Sequence, residues 1–239
     1  GYCLRCGGFI VSGAIMSTLL AIDTSNQFCS IALQHNGVTS ELHERAEQQH
    51  SAVVLPMVRQ ILDAANITLN DVDEFVVGIG PGGFTGVRLA VAVVQGLAFA
   101  TDKSVVPLSS LLAMAYAYDG ADGVVTVAMD ARMQEIYHAT YRITAAGFET
   151  LHAPSLSNVA DFMAAQNQWA HEPNFGVVGN AIAAFDLTGL NTFDIDHSAP
   201  HARDLLRAAA GQKGIAPDLV APLYVRDKVA QTMAERAAL

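Results

Sequence analysis

The sequence predicts an α/β protein with two related lobes, each a mixed sheet flanked by helices. Short apolar runs that predict strands alternate with longer segments of helical patterning, in the order βββαβα. The same order recurs in weaker form from Val124 onward. Between the two, Asp119–Gly123 is rich in glycine and aspartate and marks the expected boundary. We therefore expect a first lobe over residues 16–120 and a second lobe with a tail over residues 121–239.

The strands and helices of the first lobe can be placed from these patterns. Hairpin formation is predicted by His35-Asn36-Gly37, which lies between two strand-like runs. Ser109 and Ser110 are typical helix caps. The expected strands are Leu19–Ile22, Cys29–Leu33, Val38–Leu42, Glu74–Ile79 and Val105–Pro107, and the expected helices are His50–Asn66, Thr85–Ala100 and a segment ending near Tyr118.

The second lobe is less regular. Strands are expected at Val124–Met129 and Glu135–Ile143, joined through Asp130-Ala131-Arg132. A glycine-rich turn is expected at Gly176–Asn180, and a helix after Pro200. Residues 1–15 do not share the pattern of the rest, and we interpret them as an extension ahead of Met16 that is not part of the fold.

Composition excludes several classes of protein. Hydrophobic residues make up 51% of the 239 residues, which is too many for a disordered chain. The longest apolar stretch, Leu89–Ala100, is far shorter than the roughly 20 residues that cross a bilayer, so no membrane contact is expected. A net charge of −10 argues against tight binding of nucleic acid by this chain alone. Three cysteines cannot build a disulfide framework, which favours a cytoplasmic location.

The most specific motif is Gly80–Arg88, Gly-Pro-Gly-Gly-Phe-Thr-Gly-Val-Arg, between a predicted strand and a predicted helix. Glycines let backbone amides approach a bound group, and a helix N-terminus offers unpaired N–H donors. One interpretation is a phosphate cradle that includes Gly82 and Gly83. The other is a tight turn in which these glycines only satisfy backbone geometry. The motif is not a Walker A loop, because no Gly-Lys-Ser/Thr follows.

Two aspartates end equivalent strands of the two lobes. Asp23, with Thr24 and Ser25, could hold Mg²⁺ or a phosphate, or could form an Asx-type turn that opens a hairpin. Asp130 follows the first strand of the second lobe. In a two-lobed ATPase these turns would face each other across a cleft. Because Ala131 and Arg132 replace a glycine after Asp130, we expect that half of any such site to be impaired.

No metal site is expected in this chain. His197 and His201 have a metal-like spacing, but Pro200 favours a helix that begins after His197 and leaves it off the shared face.

The two long predicted helices are apolar on more than one side. A helix that is hydrophobic on both sides must be buried on both, by its own chain or by a partner. The second helix is also rich in small residues, which permit close approach of another helix. We expect a partner interface formed by six residues of these helices: Val54, Met57, Val58, Ile61, Ala92 and Gly96.

Four motifs in order resemble the bacterial TsaB family, formerly called YeaZ. They are Leu20–Ser25, Gly80–Arg88, Asp130-Ala-Arg with Glu135-x-Tyr137, and Pro222–Arg226, and the resemblance runs from Met16 to about Arg226. It implies an actin/Hsp70/sugar-kinase-like, or ribonuclease H-like, fold. It also implies a non-catalytic role beside the paralogue TsaD and the ATPase TsaE, in forming threonylcarbamoyladenosine next to the anticodon of tRNAs that read ANN codons.

The resemblance places the chemistry on the partners. TsaD would carry the catalytic metal, and ATP and Mg²⁺ would also bind partners, with tRNA reached only through the complex. The family metal pair corresponds to Ser110 and Met114 here, which are poor substitutes for histidine. Pairing with TsaD, or with a second copy, would use the two apolar helices. A vestigial nucleotide site would comprise Asp23, Thr24, Ser25, Gly82, Gly83, Asp130 and Gly179.

Two other functions remain open from the sequence. One is an ATP-binding enzyme of kinase or ATPase type with its own active site. The other is a metallopeptidase, which would need ligands that the Ser110 and Met114 positions lack.

Overall fold

A computed structural model describes residues 17–118, 122–193 and 199–226 of the chain. The expected extension at residues 1–15, most of the expected boundary at 119–121, and His197 lie outside the described residues. The elements follow the predicted order. The strands are β1 Leu19–Asp23, β2 Phe28–His35, β3 Val38–Arg45, β4 Glu74–Gly78, β5 Ser104–Leu108, β6 Gly123–Asp130, β7 Glu135–Thr144, β8 Gly147–Asn158 and β9 Gly176–Val178. The helices are α1 His50–Ala64, α2 Phe84–Thr101, α3 Ser110–Tyr116, α4 Val159–Gln166, α5 Ala181–Ala184 and α6 Ala202–Ala209.

The first sheet has five strands in the order β3-β2-β1-β4-β5. Strands β1, β2 and β3 are antiparallel neighbours, whereas β4 and β5 run parallel to β1. The central strand β1 is buried from Leu20 to Asp23, as expected for a strand covered on both faces. Its near-continuous apolar sequence is the reason that the strand was predictable.

The second sheet repeats this arrangement. Its order is β8-β7-β6-β9, with β6, β7 and β8 antiparallel and β9 parallel to β6. Strand β6 therefore takes the place of β1, and Asp130 takes the place of Asp23. The predicted architecture is confirmed: two related α/β lobes, each with a mixed sheet flanked by helices.

Two hydrophobic layers cover the first sheet. Helices α1 and α2 pack with Leu20, Ile22 and Val77 on one face. Helix α6 packs on the other face, and helix α3 packs against α6 and against β6 and β7 of the second sheet. The two helices therefore form the layer between the lobes. Helix α6 lies beyond the expected 120/121 boundary in sequence, yet it packs on β1 and β2 of the first sheet. A helix from the second half of the sequence, α6, is therefore part of the first lobe.

Several predicted ends need correction. Helix α1 ends at Ala64 rather than Asn66, because Asn66 adopts the left-handed conformation (φ 55°). Helix α3 ends at Tyr116 rather than Tyr118. The segment Gly176–Asn180 is not wholly a turn, since Gly176–Val178 forms strand β9 beside β6. The N-cap of α3 is Ser109, whose hydroxyl accepts a hydrogen bond from the backbone N–H of Leu111 at 3.2 Å.

The layer between the lobes makes a testable prediction. Leu111 of α3 is fully buried there, so Leu111→Ala should lower the free energy of unfolding by about 2–5 kcal/mol through lost burial and a residual cavity. Leu55 on α1 is 52% exposed, and the matched change Leu55→Ala should cost about 0.5 kcal/mol or less. Urea denaturation followed by circular dichroism measures both. If both variants lowered the free energy of unfolding by the same amount, the packing of Leu111 between the lobes would be contradicted.

Candidate functional site

A cleft of about 830 Å³ lies between the lobes. From the first lobe it is lined by the turn after β1, the start of α1 and the glycine loop before α2. From the second lobe it is lined by Met129–Arg132, Tyr137 and Asn180. Of the predicted nucleotide-binding residues, the cleft lining includes Thr24, Ser25, Gly82, Gly83 and Asp130. Asp23 and Gly179 are not part of that lining.

Asp23 is engaged within the first lobe. Its carboxylate is buried, and Oδ1 accepts hydrogen bonds from the Ser25 N–H at 2.8 Å and the Ser25 hydroxyl at 2.7 Å. Oδ2 accepts a third from the Ser110 hydroxyl at 2.6 Å. Burial raises the pKa of Asp23 above its usual range, although the hydrogen bonds from Ser110 and Ser25 oppose that rise. Of the two interpretations left open for this turn, the geometry favours the Asx-type turn.

The glycine loop packs backbone to backbone against the same turn. The Gly83 N–H donates to the Ser25 carbonyl at 2.6 Å, and the Thr24 hydroxyl donates to the Gly86 carbonyl at 2.7 Å. A Cβ on Gly82 would collide with the Ser25 carbonyl, and one on Gly86 would collide with the Thr24 carbonyl. Close packing therefore accounts for these glycines, as in the tight-turn interpretation.

Gly83 differs from its neighbours. A Cβ at this position would lie at ordinary contact distance, 3.5 Å, from the Ser25 carbonyl. The packing of the turn therefore does not require glycine at residue 83, which is exposed in the cleft.

The second-lobe half of the cleft is built from Asp130 and its neighbours. Asp130 Oδ1 accepts from the Arg132 N–H at 2.8 Å, and the Asp130 N–H donates to Asn180 Oδ1 at 2.8 Å. The Arg132 side chain is 87% exposed. Gly179 has φ 119°, and a Cβ there would collide with the Ala128 carbonyl. Gly179 is thus a packing glycine behind the cleft, and the side chains of Ala131 and Arg132 line the position where a glycine turn would leave room.

Ser110 and Met114, which the resemblance aligns with a metal pair, cannot be reached from solvent. Ser110 and Met114 are fully buried, and the Ser110 hydroxyl donates to Asp23 while it accepts from the Gly80 N–H at 3.1 Å. A thioether and an engaged hydroxyl are unsuited to a catalytic metal that takes imidazole ligands. Ser110 and Met114 therefore do not fit the metal pair that the resemblance implies at their positions.

Sequence reasoning missed a different cluster, in which Glu41, His43 and His201 bring potential metal-ligand atoms within 4.8 Å of one another. The rings of His43 and His201 are stacked at 3.8 Å with 9° between their planes. Their ring nitrogens lie in nearly parallel planes, so both could not point at one ion without rotation of a ring. His201 Nδ1 instead lies 2.9 Å from Glu41 Oε2, which joins β3 to the start of α6.

The predicted partner interface is partly wrong. Val54, Met57, Val58 and Ile61 are buried in the core of this chain, because the apolar face of α1 packs on its own sheet. These four side chains are not available to a partner. In contrast, Ala92 and Gly96 are exposed, and nothing lies within 4 Å of the position of a Cβ on Gly96. Helix α2 does carry a second, exposed face.

That exposed face forms a stripe along α2 that we call the α2 face: Arg88, Ala92, Gly96 and Phe99. Phe99 is 60% exposed, although it is a large apolar residue. Among the described residues, α2 is the helix whose length and composition would allow it to cross a membrane. In this fold its other face, including Ala90 and Val94, packs into the core of the first lobe.

The hydrogen bonds of Asp23 make a testable prediction. Asp23→Ala should lower the free energy of unfolding by about 3 kcal/mol, because the donors of Ser25 and Ser110 lose buried acceptors. Asp23→Asn keeps an acceptor for Ser25 and should cost about 1 kcal/mol. Urea denaturation measures both costs. A folded Asp23→Asn variant as destabilised as Asp23→Ala would show that the negative charge, and not the acceptor geometry, is what the turn requires.

Comparisons with known proteins agree with this architecture. Residues 33–234 match the family described as TsaD, tRNA N6-adenosine threonylcarbamoyltransferase. The chain is 30% identical over 230 residues to the Escherichia coli "tRNA threonylcarbamoyladenosine biosynthesis protein TsaB", a match that covers 89% of this chain and 96% of that protein. It is 46% identical over 123 residues to the Haemophilus influenzae protein of the same name, which covers 50% of this chain and 52% of that relative.

A solved structure shows the same fold. YeaZ from Pseudomonas aeruginosa is 34% identical to this chain, with a TM-score of 0.73, over 87% of this chain and 100% of that one. A Pseudomonas aeruginosa protein described as similar to the peptidase YeaZ gives 35% identity and a TM-score of 0.76, over 88% and 100% of the respective chains. The chain therefore belongs to the TsaB family, formerly called YeaZ, within the wider family that the TsaD description covers.

Proposed function

We propose that this chain is a non-catalytic subunit in threonylcarbamoyladenosine biosynthesis, which acts by docking a TsaD-family enzyme through the α2 face. The observation that carries the proposal is the exposed apolar stripe of α2, in which small residues at Ala92 and Gly96 are followed by the exposed ring of Phe99. Small residues allow the backbone of a partner helix to approach closely, and a protruding aromatic ring is a typical anchor in a protein interface.

The cleft supports the non-catalytic part of the proposal. Asp23, which does not line the cleft, already accepts hydrogen bonds from Ser25 and Ser110. Its second half carries side chains where a phosphate would need room. The position of the family metal pair holds Ser110 and Met114, both buried. The catalytic metal, ATP and Mg²⁺ are accordingly assigned to the partners, TsaD and TsaE.

The charge of the chain supports an indirect role toward tRNA. A net charge of −10 disfavours phosphate contacts by this chain, so the proposal assigns the main tRNA contacts to the partners. The complex would work in the cytoplasm, where tRNA is modified. The same stripe of α2 could pair with a second copy of this chain when the partner is absent, because a self-complementary face of this kind gives an isologous dimer.

One observation favours a second candidate function, an ATP-binding enzyme of kinase or ATPase type. The cleft encloses about 830 Å³, and Asp130 and the exposed Gly83 line it. This volume falls in the range of small-molecule sites. Calorimetric titration of the isolated chain with Mg-ATP tests it, because binding in the micromolar range accompanied by turnover would favour the enzyme.

The docking proposal is tested by charge insertion on the α2 face. Ala92→Arg should abolish co-purification with the organism's TsaD-family protein after co-expression, because a desolvated charge would lie inside the interface. The control is Ala164→Arg on α4 of the second lobe, where another exposed helical alanine receives the same charge. The control should co-purify as the unmodified chain does.

Stability must be measured beside binding. Both substitutions are at exposed helical positions, so each should change the free energy of unfolding by about 0.5 kcal/mol or less. If Ala92→Arg folds normally and still co-purifies with its partner, the α2 face is not the docking surface.

A further inference from the structure

The tail motif Pro222–Arg226 belongs to neither the cleft chemistry nor the α2 face, yet it contacts both lobes. It leaves the first lobe beside α2, where Gln95 Nε2 donates to the carbonyls of Pro217 and Val220, each at 3.0 Å. The Leu223 N–H then donates to the Ile79 carbonyl at 2.8 Å, just after β4. The segment up to Leu223 is therefore fixed to the first lobe by two hydrogen bonds from the Gln95 side chain and one backbone hydrogen bond, before the tail reaches the second lobe.

Tyr224 ties the tail to the start of α2. Its hydroxyl accepts a hydrogen bond from Arg88 Nε, and its ring lies 5.7 Å from that of Phe84. The Arg88 guanidinium lies 3.6 Å from the centre of the Phe84 ring, in a cation–π contact. The conformation of Arg88, the first residue of the α2 face, thus depends on the tail.

Arg226 makes the contact with the second lobe. Its Nη2 donates to the Ala131 carbonyl at 2.9 Å and lies 2.7 Å from Glu135 Oε2. The Arg226 side chain is 18% exposed, so this ion pair is partly shielded from solvent screening. Ala131 and Glu135 begin and end the β6–β7 turn, and Ala131 also lines the cleft.

The β6–β7 turn is costly to form without such support. Its three central residues, Arg132, Met133 and Gln134, all have left-handed backbone angles, with φ of 63°, 55° and 60°. Each such conformation is sterically unfavourable for a residue with a side chain, because Cβ comes too close to the following carbonyl oxygen. Strained backbone of this kind persists only where surrounding contacts hold it. Arg226 supplies three such contacts, to the Ala131 carbonyl, the Glu135 carboxylate and, at 3.2 Å, Met133 Sδ.

We propose that Pro222–Arg226 is an interlobe strap that holds the cleft wall at the β6–β7 turn and couples its position to Arg88 on the α2 face. A second cavity of about 270 Å³ lies under the strap and shares Gly82, Phe84, Ala131, Arg132 and Tyr137 with the main cleft. A change in the cleft wall therefore reaches the strap directly. The docking half of this proposal rests on the proposed function, and the structural half does not.

The coupling has a reciprocal consequence. If release of the strap weakens docking, then docking must stabilise the strap by the same factor, because the two equilibria are linked. A bound partner should thus slow hydrogen exchange in the β6–β7 turn, although that turn is not part of the docking surface.

The test uses Arg226→Ala in the full chain. Loss of the Arg226 contacts should speed amide hydrogen exchange in the β6–β7 turn by about tenfold or more, since exchange follows local opening. It should also raise the dissociation constant for the TsaD-family partner by about tenfold. The matched control is Arg142→Ala, which removes an arginine paired with Glu149 and Glu172 inside the second lobe alone. The control should leave both quantities within about twofold.

Two further variants guard against misfolding. Glu135→Gln removes the ion pair while its size is kept, and should speed exchange in the turn to a smaller extent. Tyr224→Phe removes only the hydroxyl that Arg88 contacts, and should weaken docking without a change in exchange at the turn. If Arg226→Ala fails to fold, hydrogen exchange in the Glu135→Gln variant tests the strap, and the partner affinity of the Tyr224→Phe variant tests its coupling to docking.

Each outcome has a definite meaning. Unchanged exchange in the turn for Arg226→Ala and Glu135→Gln overturns the strap. Faster exchange with unchanged partner affinity overturns the coupling and leaves a purely structural tie. If the unmodified chain does not bind its TsaD-family partner, the proposed function and the coupling both fail, whereas the exchange data still decide whether the strap exists.

Discussion

The cleft depends on one contact, the backbone packing of the glycine loop against the turn after β1. Gly82 and Gly86 meet the carbonyls of Ser25 and Thr24 so closely that a Cβ would not fit. That contact fixes where α2 begins, and it follows directly from the buried carboxylate of Asp23, which holds Ser25 in place. The turn thus serves to position a helix, and the exposed face of that helix is the surface that we assign to docking.

The sequence predicted the order of the strands and helices well, because the buried strands are nearly continuous apolar runs and the turns carry glycine, asparagine and serine. It also predicted that Asp23 and Asp130 hold equivalent places, since each ends the first strand of its lobe. It could not show that both carboxylate oxygens of Asp23 accept hydrogen bonds within the chain. One donor, Ser110, lies far from Asp23 in the sequence and contacts it only in the folded protein. The cluster of Glu41, His43 and His201 was missed for the same reason.

The partner interface was only half predictable. An apolar pattern indicates that a helix face is buried, but it does not say whether the chain itself or another molecule buries it. For α1 the chain buries Val54 and Met57 on its own sheet, so the prediction failed there. For α2 the small residues Ala92 and Gly96 are exposed beside the ring of Phe99. In the proposed arrangement the strap joins the α2 face to the cleft wall. A change in the position of the cleft wall would then change docking at the α2 face, and no reaction in this chain is needed.

We propose that the cleft of this chain catalyses no reaction and that its glycine loop serves to position the docking helix α2. The most direct measurement is phosphate release from Mg-ATP by the purified chain alone, compared with release after Asp130→Ala. The account predicts no release above the buffer background for either protein. Sustained release by the unmodified chain that Asp130→Ala abolishes would contradict the account and show that the cleft is an active site.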